Sequence, residues 1–123
     1  MAYELSLQRF TYIAGADFTN HQYKFITVDS NGNAQLCAAG KSAAGVTQDN
    51  PVQGASGEAA FAGISKVVSG GTIKWGAPVQ ASTNGVAIAA TTGNIVLGQS
   101  FSGAAANDIF PVLLNLANWA KLS

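Results

Sequence analysis

The stretch GEAAFAGISKVVSGGTIKWGAPV, residues 57–79, decides the fold that we predict for this chain. Residues 59–68 are small, aromatic or β-branched, with Lys66 as the one charge, which is typical of a β-strand. Because strand side chains alternate between two faces, both faces here are apolar or small, and we expect cover on both sides in a barrel or sandwich. The alternation puts Phe61, Gly63 and Val67 on one face and Ala62, Ile64 and Val68 on the other.

Glycine and asparagine turns interrupt the chain on both sides of this strand. Asn-Gly pairs at residues 31–32 and 84–85 predict two tight hairpins, since both residue types accept a positive φ at low cost. We predict an all-β fold: a small β-barrel or sandwich of about seven or eight short strands joined by Gly and Asn turns, with irregular N- and C-terminal segments. The predicted strands include residues 23–28, 34–38, 58–68, 86–90, 95–101 and 109–114.

Two of these strands contain a residue that restricts their place in the sheet. Pro111 cannot donate a ladder hydrogen bond, so we predict that its strand lies at an edge or is bulged there. Gly98 predicts a bulge or the close approach of another backbone.

The chain divides into a barrel-like domain at residues 23–114, an N-terminal segment or arm at 1–22 and a C-terminal tail at 115–123. The N-terminal segment alternates apolar and polar residues. It is therefore either an ordinary first strand, which this spacing favours, or an arm that pairs with a neighbouring sheet edge. The tail is one helical turn or an extended arm. Apolar residues of terminal segments have the least reason to enter the core, so the candidate partner contacts are Tyr3, Leu5, Leu7, Phe10 and Trp119.

The composition indicates one domain with an unusually neutral surface. The 123 residues include 14 glycines and 22 alanines, and 10% are charged, against about 25% in ordinary globular domains. Such a surface suits a protein that partners cover. A net charge of zero with dispersed basic residues argues against nucleic-acid binding. We find no secretory leader and no apolar run that could span a bilayer, so we expect a soluble protein made in a cytoplasm, without a membrane partner.

Residues that could support catalysis or metal binding are few. The single histidine, His21, lies in a predicted loop, which favours a surface role over that of a general base. The single cysteine, Cys37, cannot form an internal disulfide, and we expect a small apolar residue at the end of a strand. The aspartates fall mostly in turns, where they bond nearby backbone amides. We therefore expect no enzyme, no cofactor and no metal site.

The order of these features is itself informative. Along residues 23–114 come a hairpin, a Gly-Val pair, Gly-Ile-Ser-Lys-Val, a turn, Gly-Ala-Pro-Val, a second hairpin, Ile-Val-Leu-Gly-Gln-Ser, Ala-Asn-Asp and Pro-Val-Leu-Leu. This order resembles the capsid cement, or head decoration, proteins of tailed bacteriophages. The terminal segments do not match that pattern, and Trp75 is larger than the residue usual at its place.

The resemblance implies a small β-barrel-like virion protein on the outer surface of the phage head, made in the bacterial host cytoplasm. It would bind the major capsid protein after the shell expands, often as a homotrimer, and stabilise the shell against the pressure of packaged DNA. The alternative is a carbohydrate- or host-surface-binding β-sandwich on a virion. Exposed aromatic residues such as Tyr12, Trp75 or Trp119 would then stack on sugars, although we favour core or subunit packing for them.

Overall fold

The computed structural model describes residues 5–117 and 119–123, and this part of the chain has nine β-strands and no α-helix. The predicted class, all-β with short strands joined by Gly and Asn turns, is confirmed. The strands are β1 Leu5–Ala14, β2 Phe25–Val28, β3 Asn33–Leu36, β4 Gly45–Thr47, β5 Ser56–Val68, β6 Pro78–Ala81, β7 Ala87–Ala89, β8 Gly98–Ser100 and β9 Ile109–Leu114.

All nine strands belong to one sheet, in the order β1-β3-β2-β4-β5-β9-β8-β6-β7. β1, which lies in the N-terminal segment, also pairs antiparallel with β5, so the first five strands close into a ring. The β1–β3 pair is parallel, and the other strand pairs are antiparallel. Closure pairs these strands on both sides and leaves the ring without a free edge.

The remaining four strands extend from the second half of β5. β9 pairs with residues 64–68 of β5, and β8, β6 and β7 follow in that order. A parallel bridge between Ser69 and Ala87 brings β7 back to the end of β5. β5, with 13 residues, therefore belongs to both halves of the fold.

Two hydrophobic cores lie on opposite faces of the shared strands. Adjacent strand residues point to opposite faces, and Ala59 packs in the smaller core whereas Ala60 packs in the larger. Phe25 and Ile26 divide in the same way, so β5 is covered on both sides as predicted. The smaller core, inside the ring, contains Tyr12, Ala14, Phe18, Ile26, Ala34 and Ala59. The larger core includes Phe25, Val46, Ala60, Val67, Val79, Leu97, Phe110 and Val112.

The irregular β1–β5 register between Ala60 and Ile64 makes the predicted alternation along β5 wrong. Ala60 and Val67 both lie in the larger core although they are seven positions apart, so the alternation reverses between them. Gly63 has a φ of 97°, which glycine adopts without strain, and the β1–β5 register shifts nearby. Phe61 consequently remains 41% exposed, whereas Val67 is fully buried.

Both predicted Asn-Gly hairpins are confirmed. In the β2–β3 turn, Asp29 Oδ1 accepts hydrogen bonds from the backbone N–H groups of Asn31 and Asn33, each at 2.9 Å. In the β6–β7 turn, Asn84 and Gly85 have φ values of 64° and 74°. Local turn chemistry therefore determines both reversals.

Two predicted strands begin later than the sequence indicated. β2 starts at Phe25 instead of residue 23, because Tyr23 has a φ of 62°, outside the extended region. β8 covers Gly98–Ser100 instead of residues 95–101, because Ile95 bridges the C-terminal segment at Lys121. The close backbone approach predicted at Gly98 is confirmed, since a Cβ there would collide with the carbonyl oxygen of Leu113.

The prediction that Pro111 lies at an edge or a bulge is wrong. β9 lies between β5 and β8, and Pro111 is buried opposite Lys66. Its carbonyl oxygen accepts a hydrogen bond from Phe101 N at 2.9 Å, on the β8 side. In an antiparallel strand the N–H and C=O of a residue point to the same side. The nitrogen of Pro111, which has no hydrogen to donate, therefore faces a point beyond Ser100. Because β8 has already ended there, no ladder hydrogen bond of β8 is lost.

Replacement of Gly85 by alanine is expected to destabilise the fold more than replacement of Gly32. Both glycines follow an asparagine in a hairpin and have positive φ, 74° and 81°. At Gly85 a Cβ would also collide with the backbone of Phe25, whereas Gly32 faces open space. We expect losses in unfolding free energy of about 2–4 kcal/mol for Gly85→Ala and about 1 kcal/mol for Gly32→Ala. Urea unfolding measures both, and equal losses would contradict the collision.

Candidate docking surface

The C-terminal segment is fixed to the sheet on both sides of Trp119. Before it, Leu116 is buried in the larger core. After it, Lys121 forms an antiparallel bridge with Ile95, flanked by backbone hydrogen bonds of 2.9 Å. Trp119 itself is 67% exposed. The indole ring is therefore presented to solvent from a segment that is anchored at both ends.

Two apolar hollows share Trp119, Ala43 and Ala44, and we call them together the Trp119 face. The side chains that line them are uncharged. The first hollow, of about 360 Å³, is lined by Phe10, Ala43, Ala44, Phe61, Leu116, Ala117 and Trp119. The second, of about 340 Å³, is lined by Thr27, Val28, Ser42, Ala43, Ala44 and Trp119.

Register across the β1–β5 pair places two phenylalanines at the first hollow. Phe10 lies opposite Ala59, so Phe61 is its diagonal neighbour. The two ring centroids are 6.1 Å apart with planes tilted by 48°, a favourable aromatic geometry. Phe10 is half-buried and Phe61 is 41% exposed. The pair forms a wall of the hollow that remains partly open to solvent.

The loop before β4 lines both hollows. Ala44 N donates to the carbonyl oxygen of Ile26 at 2.7 Å, which fixes the loop to β2. The buried Cys37 directs its thiol to the carbonyl oxygens of Lys41 and Ser42, at 3.6 and 3.3 Å. Burial raises the pKa of this thiol to about 11, so it is uncharged. The prediction that Cys37 packs as a small apolar residue at a strand end is confirmed.

The structure brings together two of the five contact candidates. Phe10 and Trp119 line the same hollow. Leu7 is partly buried against the larger core, away from that lining. The backbone of Leu5 belongs to β1, whereas its side chain and the whole of Tyr3 lie outside the described part of the chain. A contact role for all five stays a prediction.

Two exposed residues of the face, Phe61 and Val28, were not predicted from the sequence. Phe61 was assigned to a strand covered on both sides, but it lies at the register shift between Ala60 and Ala62 and is exposed. Val28 is 47% exposed because it ends β2 at the hairpin, a position that the Asn-Gly signal already marked. The burial of Leu116 had no local signal, since it depends on the path of the tail.

A third hollow, of about 420 Å³, lies at the ends of β6, β8 and β9. Trp75 adjoins it in sequence and is 73% exposed. The third hollow is lined by Gly76, Pro78, Val96, Gly98, Gln99, Leu113, Leu114 and Asn115.

Tyr12, which the sequence analysis named as a possible sugar-stacking residue, is buried and donates a hydrogen bond to Asp49 Oδ1 at 3.0 Å.

His21 and the four aspartates are engaged in local structure. His21 Nδ1 accepts a hydrogen bond from Lys24 Nζ at 2.9 Å, and its ring packs edge-on against Phe18. Burial and the positive charge of Lys24 lower the pKa of His21, so the ring is neutral near pH 7. The aspartates that accept hydrogen bonds are Asp17, Asp29, Asp49 and Asp108.

Within residues 5–117 and 119–123, no three or more His, Cys, Asp or Glu residues are grouped so that they could hold a metal ion. The same residues contain no helix with the length and apolarity needed to cross a membrane.

Protonation of His21 is expected to destabilise the fold below neutral pH. Because its pKa in the folded chain lies below the usual 6.5, the unfolded chain binds this proton more readily. The contribution of neutral His21 to the unfolding free energy is present above pH 6.5 and is lost as the pH falls through the lowered pKa of the folded chain. The negative charge of Asp17 opposes part of this loss, because it favours the protonated ring. His21→Asn, which keeps an acceptor but does not titrate, should reduce the fall in unfolding free energy as the pH drops below about 6.5. Urea unfolding tests this, and an unchanged decline in the variant would contradict it.

This fold is shared with a phage head protein. The crystal structure of the N base of head fiber gp8.5 in bacteriophage phi29 matches with a TM-score of 0.76 and 16% sequence identity. The match covers 95% of this chain and 98% of that chain. No family model matches the sequence, and no curated protein matches it. The resemblance to phage head decoration proteins is therefore confirmed at the level of the fold.

Proposed function

We propose that this protein is a head decoration, or capsid cement, protein of a tailed bacteriophage. It binds the major capsid protein on the outer surface of the expanded head as a homotrimer, has no enzymatic activity, and is made in the host cytoplasm. The observation that carries the proposal is the fold, which matches the N base of a phage head fiber along 95% of this chain. The order of motifs, read independently from the sequence, favours the same class.

The Trp119 face has the properties that such binding needs. Its lining is apolar and uncharged, and an exposed tryptophan lies between the hollows. Exposed aromatic residues beside apolar hollows are the usual energetic centres of protein interfaces. One such contact is small, but the three copies in a trimer would bind adjacent sites together, so modest affinities multiply.

Binding of this kind stabilises a shell by mass action. A protein that contacts neighbouring capsid subunits binds the intact lattice and not the separated subunits. At a concentration 100 times its dissociation constant, each such site stabilises the bound state by about 2.7 kcal/mol. The binding free energy summed over all sites of the lattice opposes the outward pressure of packaged DNA.

A second candidate is a carbohydrate- or host-surface-binding module carried on the virion. The exposed Trp75 favours it, because its 73% exposure leaves an aromatic face free to stack on a sugar ring. A glycan array separates the two candidates, since a cement protein should bind no sugar.

Purified protein is expected to cosediment saturably with expanded heads that lack it, and not with unexpanded heads. Decorated heads should also release DNA at a higher temperature than bare heads, because the bound protein stabilises only the intact lattice. Absence of binding at micromolar protein would refute the cement function.

A further inference from the structure

We propose that the Trp119 face docks on an apolar site of the phage shell that is flanked by carboxylates, and that Lys41 and Lys121 pair with those carboxylates. This rests on the proposed function and specifies the chemistry of the partner surface.

Two exposed lysines adjoin the Trp119 face. Lys41 immediately precedes the loop that lines both hollows, and Lys121 lies two residues beyond Trp119. Ile95 connects them, because its N–H donates to the carbonyl oxygen of Gly40 at 3.1 Å and its backbone bridges Lys121. The backbones of both lysines therefore lie beside the same short segment, next to the face, and both side chains are exposed.

Within the described residues, neither lysine has a carboxylate partner. The ion pair seen there joins Arg9 and Glu58 at 3.7 Å. The carboxylate nearest in sequence to the lining, Asp29, accepts hydrogen bonds from its own turn and from Gln35 Nε2 at 3.0 Å. The face thus combines an uncharged, mainly apolar lining with two adjacent lysines that no described carboxylate neutralises.

The complement of such a surface is an apolar side chain flanked by acidic residues, because interfaces pair opposite potentials. A second copy of this chain fits poorly. It would bring the same lysines, and its described carboxylates already accept hydrogen bonds in turns or pair with Arg9. The shell therefore remains as the source of the acidic groups.

The lining and the two lysines should contribute differently to binding. Trp119 fills the role of a central anchor, whose truncation typically costs about 30-fold in affinity. Rim charges act mainly on the association rate and on its salt dependence. Affinity for the shell should therefore fall as salt rises, and this fall should depend on the two lysines.

The test compares two variants with matched controls in cosedimentation with expanded heads. Trp119→Ala is matched by Trp75→Ala, and Lys41→Glu/Lys121→Glu by Lys74→Glu; all these side chains are exposed, so the variants should keep the wild-type melting temperature. We expect about 30-fold weaker binding for Trp119→Ala and about tenfold for the double variant, which should also lose its salt dependence. The controls should stay within about twofold.

A carbodiimide crosslink, which joins lysine to carboxylate without a spacer, identifies the partner directly. Crosslinks from Lys41 or Lys121 to acidic residues of the shell protein would support the proposal, whereas crosslinks to another copy of this chain would overturn it. If Trp119→Ala and the double variant bind expanded heads as tightly as the wild-type protein does, the docking proposal is overturned, but the cement function is not. Failure of the wild-type protein to bind expanded heads would refute the cement function itself.

Discussion

Backbone pairing along β5 is the constraint on which the rest of this structure depends. Its 13 residues pair with β1 on one side and with β4 and then β9 on the other, so one strand completes the five-stranded ring and starts the second half of the sheet. Both cores then pack against it, through Ala59 on one face and Ala60 on the other. Small side chains are needed here because two packed layers approach the same strand closely.

The neutral surface and the turn chemistry have a common origin. Each aspartate accepts hydrogen bonds in a turn or from a buried tyrosine, so these four carboxylates maintain the loops, whereas Glu58 pairs with Arg9 on the surface. The exposed apolar groups are left with little charge around them. This arrangement suits a protein whose surface is covered by partners, since burial of neutral surface has no large desolvation penalty.

Low sequence identity with a shared fold is also physically reasonable. Many different sequences can supply the turns, small residues and alternating aliphatic residues of such a fold, and ladder hydrogen bonds involve only the backbone. The fold of the phi29 head fiber base can therefore be shared at 16% sequence identity. Partner choice is expected to lie in exposed groups such as Trp119 and its flanking lysines.

The sequence alone determined what local chemistry controls: the two Asn-Gly hairpins, the β5 and β9 strands, the close approach at Gly98 and the burial of Cys37. Of the candidate site, it predicted Phe10 and Trp119 as contact candidates but did not predict that they line the same hollow. Tertiary structure decided the closure of β1 on β5, the interior place of Pro111 and the exposure of Phe61. The reason is register: a shift in the β1–β5 pairing between Ala60 and Ile64, or the end of β8 at Ser100, changes which distant residues meet, and no local pattern encodes that.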